Sequence, residues 1–236
     1  MPCSLLERLA CEWELPLSVG QLDQFELYAT KLLQWNQHTN LTSITDPEVI
    51  VVRHFLDSLA LARLWSHGAP TSLADIGTGA GFPGVPLKLL WPDMRLLLVE
   101  SIGKKTAFLT HLVEVLGLMD VEIRTERAET LGQHPDYREH YDLVTGRAVA
   151  NLAVLAEYCL PLCRIGGMFV APKSGSGMAE IQAALTALNV LGGEHESTLN
   201  VQLPHVEERT LIVVRKSHPT PLQYPRRVGV PAKRPL

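Results

Sequence analysis

The residues best placed to do chemistry form one run, Ala74-Asp75-Ile76-Gly77-Thr78-Gly79-Ala80-Gly81-Phe82-Pro83-Gly84. A short apolar segment, Leu73 to Ile76, leads into a loop with four glycines, and a helical pattern starts near Val85. Glycine keeps side chains out of the way of a ligand that must approach the backbone, and it admits left-handed conformations. The chemistry expected of such a loop is the cradling of a nucleotide-like ligand. Three further places add functional groups. Glu100 ends a second apolar run and lies nineteen positions after Gly81, where a carboxylate can accept both hydroxyls of a ribose. Ser101 and Ile102 follow it. Arg127-Ala128-Glu129 follows a third run, where a backbone N–H and a carboxylate could read a base edge; the plainer alternative is an acidic helix start. Arg147, after a fourth run, needs an anionic or carbonyl partner, either a ligand or a salt bridge to Glu129 or Glu100.

Two cofactor classes compete for this loop. Gly79-x-Gly81-x-x-Gly84 matches the dinucleotide fingerprint and makes a nicotinamide-dependent oxidoreductase the rival reading. Asp75 argues the other way. A carboxylate directly before the glycines suits the ammonium end of S-adenosylmethionine and would repel a pyrophosphate. A non-catalytic RNA-binding protein with a vestigial pocket is the third possibility.

These groups need an alternating scaffold to hold them. Residues 4–66 read as helical, with Leu22, Phe25, Ala29, Leu32 and Leu33 on one face and Asp46-Pro47 as a helix start. From residue 72, strands at 73–76, 95–100, 121–124, 141–145 and 168–171 alternate with helices near 85–90, 104–118, 152–162 and 178–190. Two extended segments, 197–203 and 209–215, close the pattern without a helix between them. Such alternation implies an α/β fold with a mostly parallel sheet and helices on both faces, closed by an antiparallel pair. The expected organisation is an N-terminal helical extension (1–68) packed on a core domain (69–216), then a basic, proline-rich segment (217–236).

The 236 residues, 46% hydrophobic and 19% charged, suit a globular protein. There is no apolar run of membrane-spanning length, and the acidic N-terminus does not read as a signal peptide, so a cytoplasmic protein with no membrane partner is expected. Cys159 and Cys163 read as small apolar residues one turn apart on a helix; no second close pair offers a metal site. His54 and Asp57 share a helix face without further ligands at matched spacing, and hydrogen bonding that ties the N-terminal helices to the core is the favoured role. Asn36 and Asn40 are open between helix termination and RNA contact. Net charge is −4, yet Arg209 to Leu236 holds seven basic and no acidic residues. Arg226, Arg227, Lys233 and Arg234, set among prolines, point to a polyanionic partner. Lys104 and Lys105 could extend that track or be a solvated helix face.

Taken in order, the motifs resemble one family, the bacterial 16S rRNA guanine-N7 methyltransferases (RsmG, or glucose-inhibited division protein B). The resemblance spans nearly the whole chain. It rests on Trp35-Asn36-x-x-x-Asn40-Leu41-Thr42, Arg53-His54-x-x-Asp57-Ser58-Leu59 and the loop from Asp75 to Gly84. Glu100-x-x-x-Lys104-Lys105-x-x-Phe108-Leu109, Gly146-Arg147-Ala148-Val149 and Tyr224-Pro225-Arg226-Arg227-x-Gly229-x-Pro231-x-Lys233-x-Pro235-Leu236 complete it. Lys173-Ser174-Gly175 departs from the Lys-Gly expected after the fifth strand. The resemblance implies a class I, Rossmann-like methyltransferase sheet with S-adenosylmethionine as cofactor. Its contacts would fall at Gly77, Gly79, Phe82, Glu100, Ser101, Ile102, Ala128, Glu129 and Arg147. The substrate implied is N7 of a guanine (position 527, rRNA numbering) in the 530 loop of 16S rRNA or of a small-subunit precursor, modified by a monomeric enzyme without metal. Guanine N7 carries a free lone pair, so no general base is required of the sequence.

Overall fold

The structure is a computed structural model that describes residues 2–65, 68–175, 177–206 and 208–236. The order is α1 (Pro2–Cys11), α2 (Val19–Asn36), α3 (Pro47–Ile50), a π-helical turn (Val51–Leu56), α4 (Asp57–Leu59) and a 3-10 turn (Ala60–Leu64). Then come β1 (Ser72–Ile76), α5 (Gly84–Leu90), β2 (Arg95–Glu100), α6 (Gly103–Val115), β3 (Val121–Thr125), α7 (Ala128–Leu131) and β4 (Tyr141–Thr145). The chain closes with α8 (Leu152–Cys159), β5 (Cys163–Ser174), α9 (Met178–Val190), β6 (Gly193–Val201), β7 (Arg209–Lys216) and α10 (Val230–Lys233).

One seven-stranded sheet runs β3-β2-β1-β4-β5-β7-β6 among the described residues. The β1–β2, β1–β4, β2–β3 and β4–β5 pairs are parallel. Strand β7 inserts antiparallel between β5 and β6. The closing pair is therefore antiparallel as its sequence suggests, because no crossover helix separates the two strands. The chain order reverses beside β1, and ligands of open α/β sheets bind at such a switch point, at the carboxyl ends of the strands.

Both faces of the sheet are buried. Phe25, Tyr28, Phe55, Phe108 and the outer leucines fill one side, and Leu155, Leu160, Phe169 and Leu188 the other. The helical stretch expected over 4–66 is broken twice. Ser18 caps α2 with a capping box completed by Gln21. Asn36 ends α2: its carboxamide oxygen accepts from Leu41 and Thr42 N–H at 2.9 and 3.0 Å, and its amide donates to Thr42 O at 2.9 Å. That settles Asn36 as a helix terminator. Asp46 caps α3 through Glu48 and Val49 N–H, with Pro47 at the first helical position. A second correction concerns the cysteines. Cys159 ends α8 while Cys163 opens β5, so the two buried thiols do not share a helix; the chain turns at Leu160–Leu162.

The N-terminal helices reach the glycine loop directly. Tyr28 donates its hydroxyl to Ala80 O at 2.5 Å and stacks on Phe82, with ring centroids 5.1 Å apart; Phe55 closes the cluster. Gly81 is left-handed (φ 100°), and a Cβ there would meet Tyr28 Oη at 2.8 Å. Loop and helices are thus packed as one unit.

Candidate functional site

Asp75 organises the loop. It is fully buried at the end of β1, and its Oδ2 accepts from the Thr78 hydroxyl at 2.6 Å and from Gly84 N–H at 2.8 Å. Burial pushes its pKa up to about 6, against those two hydrogen bonds. This corrects the expectation that Asp75 faces a cofactor ammonium: the side chain is enclosed by the loop, and Oδ1 has no hydrogen-bond partner among the described residues. The correction also weighs against the dinucleotide reading. In that reading the N–H groups opening α5 would receive a pyrophosphate, but Gly84 N–H is already held by a carboxylate.

Two cavities open at the carboxyl ends of the strands. The first, about 220 Å³, lies between the ends of β1, β2 and β3, the loop from β4 to α8, and Tyr158 near the end of α8. Gly77, Glu100, Ser101, Ala128 and Glu129 of the expected cofactor residues line it, joined by Val149 and Tyr158. Glu100 is locked by two backbone donors: Gly79 N–H at 3.1 Å to one carboxylate oxygen and Ile102 N–H at 2.9 Å to the other. Gly79 and Ile102 thus act on this cavity through Glu100. Lys105 lies 3.8 Å from the same carboxylate, while Lys104 is exposed. Gly77 is left-handed, and a Cβ there would fall 2.6 Å from Val149 Cγ2. Only glycine keeps that wall in place.

The second cavity, about 350 Å³, adjoins the first at Ala148, which lines both. Its walls come from five distant segments: Ile44, the π-turn with α4, the β4 end, the β5 end and the start of β7. Arg53, Arg147, Lys173 and Arg209 line it, with Asp57 as the lone carboxylate among the described residues. Asp57 is 2% exposed and holds two guanidinium groups, Arg147 through Oδ2 at 2.8 Å and Arg209 through Oδ1 at 2.9 Å. Arg209 also donates to the Ser174 hydroxyl. Lys173 is braced by Ala150 O and Glu180, each at 2.8 Å.

Arg147 sits on this side of the loop and pairs with Asp57, not with Glu129 or Glu100. It donates to Arg53 O at 3.1 Å and lies 5.1 Å above the Phe82 ring. Phe82 is 5% exposed, between Tyr28 and His54, whose centroid is 4.5 Å away. The Arg147 guanidinium is 3.3 Å from His54 Nδ1. A guanidinium cannot accept, so Nδ1 is the acceptor and the proton sits on Nε2, where it is donated to Thr42 Oγ1 at 2.9 Å. Burial, reinforced by the Arg147 charge, pushes the His54 pKa down to about 3 and keeps the ring neutral. His54 and Asp57 therefore tie the N-terminal helices to the core, as the sequence suggests, and the same contacts shape a cavity the sequence did not reveal.

Over most of its length the chain matches a known family model. The model for rRNA small subunit methyltransferase G (GidB) covers residues 21–212. The chain belongs to this family. The ribosomal RNA small subunit methyltransferase G of Roseiflexus sp. (strain RS-1) is 54% identical over 98% of this chain and 99% of that protein. The Geobacillus kaustophilus relative of the same name is 46% identical over 93% of each. Among solved structures, a SAM-dependent O-methyltransferase from Thermotoga maritima superposes with a TM-score of 0.53 at 15% identity, covering 80% of this chain and 73% of that one. At that identity it speaks for the class I methyltransferase fold alone. Family membership makes the protein an rRNA methyltransferase and implies S-adenosylmethionine as methyl donor.

The first cavity fits that donor. Glu100, Glu126 and Glu129 face it against one arginine, Arg127, an excess of negative charge that suits a sulfonium and disfavours a pyrophosphate. The Gly77 wall leaves room that a side chain would close.

Arg226, Arg227, Lys233 and Arg234 do not line either cavity. Arg227, Lys233 and Arg234 are exposed, whereas Arg226 is bound to the buried Glu157 at 2.6 Å. A larger cavity, about 440 Å³, opens at the amino ends of β2 and β3. It is at the wrong end of the sheet for this chemistry. Among the described residues no cluster of His, Cys, Asp and Glu could hold a metal ion, and no helix is long and apolar enough to cross a membrane.

Proposed function

We propose that this chain transfers the methyl group of S-adenosylmethionine, bound in the acidic cavity, to N7 of a guanine in the 530 loop of 16S rRNA, received by the basic cavity. The observation that carries the proposal is the meeting of two oppositely charged cavities at Ala148, a non-glycine residue held left-handed (φ 56°). Glu100 takes the ribose hydroxyls, and the walls at Ala128–Glu129 and Tyr158 enclose the base. Arg147 and Arg209, fixed by Asp57, turn their remaining N–H groups toward the phosphates and the guanine carbonyl. N7 attacks with its own lone pair, so the protein contributes alignment and exclusion of water, and no residue here has to accept a proton before transfer. Arg227, Lys233 and Arg234 add sequence-independent contacts to the rRNA backbone.

Incubation with radiolabelled S-adenosylmethionine and small-subunit rRNA or particles from cells lacking this activity is expected to label one guanine at N7. Label on another base, or on protein alone, overturns the assignment.

A further inference from the structure

The basic C-terminal segment invites a single role as an RNA arm, but its hydrogen bonds point inward, to the acidic cavity. Arg138 reaches across to hold it, donating to Tyr224 O at 2.8 Å and Thr220 O at 2.6 Å. Gln133 donates to Pro225 O at 2.8 Å, and Pro225 lies so close to the end of α7 that a Cβ on Gly132 would come 2.8 Å from its ring. Arg226 then forms a fork with Glu157: Nε at 2.9 Å to one oxygen, Nη2 at 2.6 Å to the other, and its own backbone N–H at 2.8 Å. Three residues on, left-handed Gly229 donates its N–H to Glu129 Oε1 at 2.9 Å.

Glu129 lines the acidic cavity, and so does Tyr158, the neighbour of Glu157. Two walls of that cavity are thus held from behind by the same tail residues. Helix α7 has only four residues and cannot hold its own geometry. The Glu157 carboxylate is fully buried, and Arg226 is its only charged partner among the described residues. We infer that Arg226 and Gly229 are positioning residues for the methyl donor: the tail is the outer brace of the cofactor cavity, and Arg226 acts through Glu157 and the α7 wall, not on phosphate.

This inference rests on the assignment of the donor to that cavity, and titration calorimetry of S-adenosylhomocysteine into the full chain separates the two. If the wild-type protein fails to bind, the assignment falls. If it binds, Arg226→Ala is expected to weaken binding about tenfold, the loss of a charge-assisted contact. Arg226→Lys, which keeps the charge without the fork, is expected to lie between. In steady state, KM for S-adenosylmethionine rises while kcat and KM for rRNA stay at wild-type values. Because Arg226→Ala strands a buried carboxylate and could unfold the chain, Gly229→Ala is the second variant. There is open space around Gly229, so the methyl group strains φ and shifts the N–H without a clash, and about threefold weaker binding is expected. Wild-type affinity in both variants, or a loss confined to rRNA binding, overturns the inference.

Discussion

The two cavities that meet at Ala148 are built in opposite ways. The acidic cavity is made mainly of backbone and of side chains within a few residues of the strand ends at Ile76, Glu100 and Thr125. Its key carboxylate, Glu100, is fixed by two N–H groups from adjoining loops. The basic cavity is made of side chains from segments far apart in sequence, brought together by one carboxylate; Asp57 reaches Arg147 ninety positions away and Arg209 at 152. Backbone scaffolds tolerate single changes because the peptide groups remain. A side-chain hub fails as a unit, since each member satisfies the others.

The sharpest test of that contrast is the hub itself. Asp57→Ala leaves two guanidinium groups, 17% and 21% exposed, facing each other without their shared anion. Breaking a buried pair of this kind costs about 3 kcal/mol or more. Methyl transfer is expected to fall more than about 100-fold, with the loss in kcat as well as in KM for rRNA, because both arginines lose their aim. Arg147→Ala, which leaves Asp57 with Arg209, is expected to fold normally and still lose most activity. Wild-type turnover in either variant removes the hub from the site.

On the acidic side, Glu100→Ala should be cleaner. S-adenosylhomocysteine affinity is expected to drop about 30-fold, the loss of a carboxylate holding a diol, while rRNA binding measured by filter retention stays unchanged. A matching loss of rRNA affinity would mean that the two cavities are not separable sites.

The same contrast explains what could be read from the chain in advance. Gly77, Glu100, Ser101, Ala128 and Glu129 were legible because strand ends announce themselves by an apolar run followed by glycine or acid, and one strand end suffices to place each. Arg53, Lys173 and Arg209 carry no local mark of a site: Arg209 is merely the first residue of a strand, and its partner Asp57 opens α4 directly after a π-turn that periodicity cannot reveal. His54 and Asp57 were visible as an unexplained pair, and the signal that could have found the hub is the presence of Arg147 and Arg209 as cations in need of an anion. Asp75 shows a related limit: the sequence gives its position before the glycines but not the fold-back of Gly84 that encloses it. The tail was legible as basic, yet Arg226 could not be told from Arg227 without knowing that Glu157, on an otherwise apolar helix, is buried and needs a cation. The mostly parallel sheet and its antiparallel closing pair, by contrast, follow from alternation and the missing final crossover.

If the exposed tail cations serve rRNA while Arg226 serves the fold, changing Arg227, Lys233 and Arg234 together to Ala should act on one partner only. Affinity for rRNA is expected to weaken about tenfold at low salt, and the slope of log affinity against log salt to shrink by about two, at roughly 0.7 per single-strand phosphate contact. Binding of S-adenosylhomocysteine should not change. An unaltered salt slope would make these residues a solvated surface.

The smallest effect separates the cavities by pH. His54, in the basic cavity, has its pKa pushed from 6.5 to about 3, so between those values the unfolded chain takes up a proton that the folded one refuses. Its contribution therefore makes stability fall as pH drops below 6.5. Asp75, under the acidic cavity, has its pKa pushed up from 3.8 to about 6, so over that window the folded chain keeps a proton that the unfolded one releases. Its contribution makes stability rise as pH falls through 6. The two oppose each other, and removing His54 should expose the Asp75 response. Guanidinium midpoints measured at pH 7.5 and 5.0 are expected to shift in favour of His54→Gln relative to wild type by about 1 kcal/mol on acidification. Parallel pH dependence in the two proteins would mean that the ring is solvated and protonates freely, and that the stack of His54 on Phe82 beneath Arg147 does not persist in solution.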